Sequence, residues 1–223
     1  MQQILILGAG STGKRYGAIL KRLGQRVIFR DLDWTPQTPE SNIDRVIIAT
    51  PTDMHLEHLR VVLARFPEIP VLVEKPVSRW LPSAVDFNKW ATTGWHSDRI
   101  SIVCNWAFTH PDYDRNRCHT RWAPGHCDVT YFNWFTGGDS LEWDCCQLIY
   151  LAHEADVVLG SGPKFDCIIN GMPITLSDID ESYCRMLVAW LHYPGELWNL
   201  NDAVAMTKKV SEKLNTRGLP CGL

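Results

Sequence analysis

The sequence predicts an α/β protein: a parallel sheet flanked by helices, then a smaller α+β part with an open, mostly antiparallel sheet. Three observations carry this. Short apolar runs recur through the first half and alternate with stretches of helical periodicity. A glycine-rich loop sits between the first such run and the first helix. Farther along, the pattern changes to residue-by-residue alternation and an Asn-Gly turn, as antiparallel pairing requires.

The elements follow in order. QILIL (3–7) is a buried strand ending at glycine. Tyr16, Ile19, Leu20 and Leu23 then fall at helical spacing, with Gly24 as the stop. RVIFRD (26–31) and RVIIAT (45–50) are the second and third strands. After Pro51, Thr52 and Asp53 start a helix whose face is Leu56, Leu59, Leu63 and Phe66. VLVE (71–74) is the fourth strand, residues 82–92 a helix, and ISIVC (100–104) the fifth strand. Such alternation implies parallel pairing through right-handed crossovers.

In the second half, residues 125–136 read as a long strand with aromatic mass at Tyr131, Phe132, Trp134 and Phe135. A helix is predicted from Cys145 to Leu159, ending at Gly160, with Leu148, Leu151, Ala152, Ala155 and Leu159 on its apolar face. FDCIIN and MPITL flank the turn Asn170-Gly171. Residues 183–193 read as another strand, giving four in all. Residues 200–214 form a closing helix with Val204, Met206 and Val210 inward. The expected division is 1–105 for the first domain and 106–223 for the second.

Composition narrows the function classes. A net charge of -3 offers no field to draw in nucleic acid or an anionic membrane. No apolar run approaches the ~20 residues of a membrane span. The first residues, MQQILILGAG, lack a basic region and cleavage site, so a cytoplasmic location is expected. The eight cysteines are scattered without a C-x-x-C, which favours reduced thiols. Cys118, His119, His126 and Cys127 fit no common zinc spacing, so no metal is expected.

The glycine loop carries the first chemical signal. Gly8, Gly10 and Gly13 follow G-x-G-x-x-G between a strand and a helix. There the glycines permit a tight turn, a close approach of backbone to pyrophosphate, and close helix–strand packing. The backbone of Ser11 and Thr12 opens the helix, whose free N–H groups favour an anion. Asp31 closes the second strand, where a carboxylate accepts hydrogen bonds from a ribose 2'-hydroxyl and favours NAD. Arg30 beside it leaves NADP open, because a guanidinium pairs with a 2'-phosphate. Lys75 stands at the end of the fourth strand, fixed by Pro76, where a cation can polarise a carbonyl or stabilise an alkoxide.

Three stretches, in this order behind the loop, make a family visible: ATPTDMHLEH, EKP and LAHEAD. Together they resemble the Gfo/Idh/MocA oxidoreductases, the glucose-fructose oxidoreductase and inositol dehydrogenase family. The likeness is specific over residues 1–105 and patchy beyond. It implies a Rossmann domain followed by an α+β domain that covers the active site and forms contacts in a homo-oligomer, here expected to be a dimer. It implies that Ala49, Thr50 and Pro51, with His55 nearby, line the nicotinamide side. It assigns Glu74, Lys75 and Asn105 to the cofactor, and Lys75 also to the substrate oxygen. His153 and Asp156 match its H-x-x-D pattern, with the histidine as general acid/base and Asp156 either orienting it or capping local polarity. The implied activity is NAD(P)-dependent hydride transfer at a secondary alcohol or ketone of a sugar, sugar nucleotide or cyclitol.

The chain also departs from the family. Its second domain is shorter than usual, Ala107 stands where arginine is frequent, and Ile149 stands where an aspartate precedes the histidine by one turn, although Asp144 lies farther back. These departures support an alternative: a dinucleotide-binding regulator or partner protein without catalysis.

Overall fold

The computed structural model describes residues 1–31, 42–94, 96–109, 124–125, 127–134, 141–153, 159–161 and 166–216. The first part runs β1 (Gln3–Leu7), α1 (Ser11–Arg22), β2 (Arg26–Arg30), β3 (Arg45–Ile48), a 3-10 turn (Thr52–Met54), α2 (His55–Arg65), β4 (Val71–Val73), α3 (Leu81–Thr93) and β5 (Ile100–Ile102). All five strands are parallel, in the order β2-β1-β3-β4-β5. The chain moves outward from β1 to β2, then crosses to β1's other side for β3. That reversal opens a crevice at the carboxyl ends of β1 and β3. The residues of β3 and β4 are buried throughout. Burial on both faces is why these strands read as unbroken apolar runs.

The second part begins with a 3-10 turn (Asn105–Thr109) and continues with β6 (Val129–Trp134), α4 (Leu141–Asp144), α5 (Cys146–Leu151), β7 (Leu159–Ser161), β8 (Asp166–Ile169), β9 (Met172–Pro173), α6 (Leu176–His192) and α7 (Leu200–Thr216). Its sheet has the order β7-β6-β8-β9, with β6 parallel to β7 and antiparallel to β8. The β8–β9 hairpin turns at Asn170 and Gly171, with φ of 50° and 74°. Positive φ at both centres is what a tight hairpin turn of this hand demands.

Two expectations fail here. Residues 183–193 are not a strand but the latter part of α6. Buried Ile179, Ser182, Met186, Leu187 and Trp190 follow a helical period. The Thr175 hydroxyl accepts from the Asp178 N–H, and the Asp178 carboxylate accepts from the Thr175 N–H. This reciprocal box starts the helix seven residues before the misread stretch. The predicted helix over 145–159 also stops early, at Leu151. Ala152 turns extended, with ψ 138°, and pairs with Cys127 in a parallel bridge. The Cys127 N–H donates to Leu151 O at 3.0 Å and the His153 N–H to Cys127 O at 2.8 Å. Pairing between distant segments therefore overrides helical periodicity, and Leu159 and Gly160 lie in β7. Val204, expected inward, is half-buried, while Ala203, Met206, Thr207 and Val210 face the core.

The helices of the second part are tied to the first sheet. Arg45, at the start of β3, is 8 % exposed and donates to the Trp190 and Leu191 carbonyls at 3.1 and 2.9 Å and to Gln2 Oε1 at 3.0 Å. The two backbone acceptors lie in the last turn of α6, where carbonyls lack helical partners. The Ile102 N–H donates to Trp198 O at 2.7 Å, which covers the open edge of β5. Helix α7 packs against α3 and α5. Arg45→Met should therefore lower unfolding free energy by about 3 kcal/mol, and Thr175→Ala by about 1 kcal/mol, both read from urea denaturation.

Candidate active site

The parallel register sets the site. Leu7 lies beside Arg30 and Ile48, Ile48 beside Val73, and Val73 beside Ile102. The residues that follow, Gly8, Asp31, Ala49 and Glu74, therefore leave the sheet in one row. Gly8 has φ +103°, and a Cβ there would come 2.4 Å from Ala49 O. A Cβ on Gly13 would come 1.9 Å from Gly8 O. The protein's own backbone thus demands both glycines. Gly10 differs, because a Cβ there would meet nothing within 4 Å. No side chain caps α1, and its first turn holds no acidic residue. A phosphate fits this place: open space at Gly10, with N–H groups and the positive end of a helix dipole facing it. Asp31, exposed, follows Arg30, whose carbonyl accepts from the Gly8 N–H at 2.8 Å.

At the end of β4, the buried Glu74 carboxylate is fully engaged. One oxygen accepts from the Tyr16 hydroxyl and the other from the Lys75 N–H at 2.9 Å. Burial and the Glu74 charge hold the Tyr16 phenol well above its usual pKa, so it remains a donor. The Lys75–Pro76 peptide is cis. The Lys75 ammonium donates to the Asp144 carbonyl at 2.9 Å, between α4 and α5. Burial works against its charge, but its acidic neighbours, among which Glu74 carries a negative charge at neutral pH, lift its pKa above the ordinary lysine value. Burial pushes the Cys146 thiol up to about 11 against the pull of Lys75, which keeps it protonated. Tyr183, from α6, meets the Tyr16 ring edge-on at 5.8 Å, with the Arg15 guanidinium 4.9 Å from its ring centre.

Behind the end of β3, Thr50 Oγ1 lies 3.0 Å from His58 Nδ1. His55, 1 % exposed, has Nε2 2.7 Å from Thr50 O and Nδ1 2.8 Å from Pro76 O. Its ring therefore stands behind the wall rather than on its face. Asn105 is likewise buried: it accepts from Gln147 Nε2 at 3.0 Å and donates to Ser182 Oγ at 3.3 Å, while Gln147 Oε1 accepts from the Trp106 N–H at 3.1 Å.

The structure thus sets Gly8, Asp31, Ala49, Thr50, Pro51, Glu74 and Lys75 just past neighbouring strand ends, with Gly10 before α1 and Ser11, Thr12 and Gly13 in its first turn. His153 lies on a different segment of the chain. That residue is exposed and follows the C-terminal end of α5, whose other end adjoins Asp144, the residue whose carbonyl Lys75 touches. Asp156 lies outside the described residues. Tyr16, Tyr183 and Gln147 were missed as site residues. Tyr16 belongs to a core stripe and Tyr183 to a stretch whose sequence fits a strand, but Gln147 is a lone amide on an apolar helix.

A profile of the Gfo/Idh/MocA oxidoreductase family, described by its NAD-binding Rossmann fold, matches residues 19–92. Over these residues the chain is similar to that family. No curated protein matches it in sequence. Solved structures share its architecture. A myo-inositol dehydrogenase from Corynebacterium glutamicum aligns at 12 % identity over 98 % of this chain and 98 % of that one, with a TM-score of 0.69. The WlbA dehydrogenase from Thermus thermophilus, in complex with NAD and UDP-GlcNAcA, aligns at 15 % identity over 99 % and 96 %, with a TM-score of 0.63. A scyllo-inositol dehydrogenase from Lactobacillus casei, with NAD(H) and scyllo-inositol bound, aligns at 11 % identity over 94 % and 95 %, with a TM-score of 0.59. At these identities the likeness shows the fold alone.

Tyr16→Phe leaves a buried Glu74 oxygen without its donor. It should cost about 2 kcal/mol of stability, read by chemical denaturation, with no change in secondary structure by circular dichroism.

Proposed function

We propose that the chain is an NAD(P)-dependent oxidoreductase that transfers hydride between nicotinamide and a secondary alcohol or ketone of a sugar, sugar nucleotide or cyclitol. The observation that carries this reading is the single row holding an open glycine position, an exposed carboxylate and one ammonium group. The α1 N–H groups at Ser11 and Thr12 would hold a pyrophosphate, and Asp31 would accept from the adenosine ribose, which favours NAD. Ala49, Thr50 and Pro51 would wall the nicotinamide side, which supplies or accepts the hydride when bound. Lys75 would leave the Asp144 carbonyl and donate to the substrate oxygen, stabilising the charge that develops there. The proton is assigned to His153, with Asp156 as its partner, on the family resemblance. The division into a nucleotide domain (1–105) and a substrate domain (106–223), a homodimer and a cytoplasmic location complete the reading.

A second reading, a dinucleotide-responsive regulator without catalysis, is favoured by one observation. The start of α5 nearest Lys75 carries Cys145, Cys146 and Gln147. The thiols are protonated, and the amide is engaged with Asn105 and Trp106.

NADH and NADPH binding, followed by fluorescence, tests the shared part. Gly10→Ala should keep the parent's melting temperature and weaken NADH by about tenfold or more, a loss near 1.4 kcal/mol. A panel of cyclitols, sugars and UDP-sugars then separates the readings. On the enzyme reading, Lys75→Ala and His153→Ala each lower turnover at least about tenfold with NADH still bound. NADH binding with no turnover of any compound would favour the regulator, and no binding of either dinucleotide would defeat both.

A further inference from the structure

His55 is the first residue of α2, and its buried ring spans two loops. One acceptor is the carbonyl of Thr50, just past β3; the other is the carbonyl of Pro76, just past β4 and directly after Lys75. These are neighbouring strand ends in the sheet, and beyond β4's last ladder residue the described strand pairing between them is the Glu74 N–H to Ile48 O, at 2.9 Å. The ring closes that gap. Both facing atoms are carbonyl oxygens, which only accept, so both bonds together need an N–H on each nitrogen. The imidazolium alone provides two. A neutral ring keeps one bond and sets a lone pair against the other carbonyl.

The groups facing the ring come from three elements. Burial favours the neutral ring and lowers its pKa, whereas the two carbonyls and the carboxylates of Glu74, past β4, and Asp53, in the 3-10 turn, favour the charged one. His58, one turn along α2, touches the same Thr50 through its hydroxyl. The proton on His55 therefore decides whether the Lys75–Pro76 segment is held to β3 from one side or two.

We propose that His55 is a positioning residue: when its ring carries both protons it ties the Thr50 and Pro76 carbonyls together and fixes the backbone from which Lys75 projects. It acts through Lys75 and does not itself reach the cofactor. This inference extends the proposed function, since Lys75 is the group being aimed, but its geometry stands without a substrate.

The experiment uses the full chain and three readouts. The first follows the His55 ring nitrogens of the parent by 15N NMR from about pH 5 to 8, the span of ordinary histidine ionisation. The second measures acetylation of Lys75 by acetic anhydride with mass spectrometry, in the parent and in His55→Gln, at both ends of that range. The third is NADH affinity in the same samples. The expected result is a ring that gains its second proton as pH falls, with Lys75 acetylation slowing by about five-fold beyond the change at other lysines, the worth of one hydrogen bond. In His55→Gln that extra slowing should vanish. Where NADH binds, its affinity should follow the same pH course in the parent and lose it in the variant.

A ring that stays neutral across the range, or Lys75 acetylation with the same pH course in parent and His55→Gln, overturns the proposal. The NMR result decides even if the variant folds poorly. If NADH fails to bind while the ring and Lys75 respond as expected, the proposed function is wrong and the positioning role survives.

Discussion

The alignment of strand ends is the constraint on which the molecule rests. Parallel pairing at Leu7, Ile48 and Val73 obliges the next residue of each strand to leave the sheet at the same level. Nothing about Gly8, Ala49 or Glu74 alone would assemble a site. The shared exit does so, and it leaves so little room between β1 and β3 that Gly8 meets the Ala49 carbonyl with no space for a side chain. Tyr16 then reaches from α1 to the Glu74 carboxylate and links the phosphate end of the row to its ammonium end. One hydrogen bond thus couples the helix that would face pyrophosphate to the loop that would face the reacting carbon.

Much of this was legible in the sequence because it depends on local pattern. Buried parallel strands must be apolar on both faces, so β1, β3, β4 and β5 read directly. The glycines at 8 and 13 are imposed by backbone contacts within one strand–turn–helix unit, and a short motif records them. Asn170-Gly171 names its own hairpin, because few other pairs accept positive φ twice. The second part was less legible because distant pairing decides it. The chain at Ala152 leaves its helix for Cys127, a partner twenty-five residues earlier in sequence, and no periodicity reports that. Helix α6 is hard to read for a different reason. Its reciprocal cap at Thr175 and Asp178 lies upstream of the apolar stretch, and without the cap an apolar segment of that length fits either state.

Side-chain roles were harder still, because they depend on what each polar group finds once folded. His55 and Asn105 sit in motif positions that suggest contact with a cofactor. Both are buried, and their polar atoms meet protein atoms. The polar side chains nearest the row are therefore divided between those facing open space, such as Asp31, and those holding the wall from behind. Residue type and spacing do not distinguish the two groups; burial and partner identity do.

The cap that Arg45 places on α6 has a consequence for how the protein is made. This guanidinium is buried at the foot of a strand formed early in the chain, but its acceptors are carbonyls of residues nearly a hundred and fifty positions later. The edge of β5 similarly waits for Trp198. A nascent chain emerging from the ribosome with only its first sheet complete would leave the Arg45 guanidinium without the α6 carbonyls and ring that cover it, and the β5 edge unpaired. The sheet's outer contacts at Arg45 and β5 are therefore completed only when the last helices arrive.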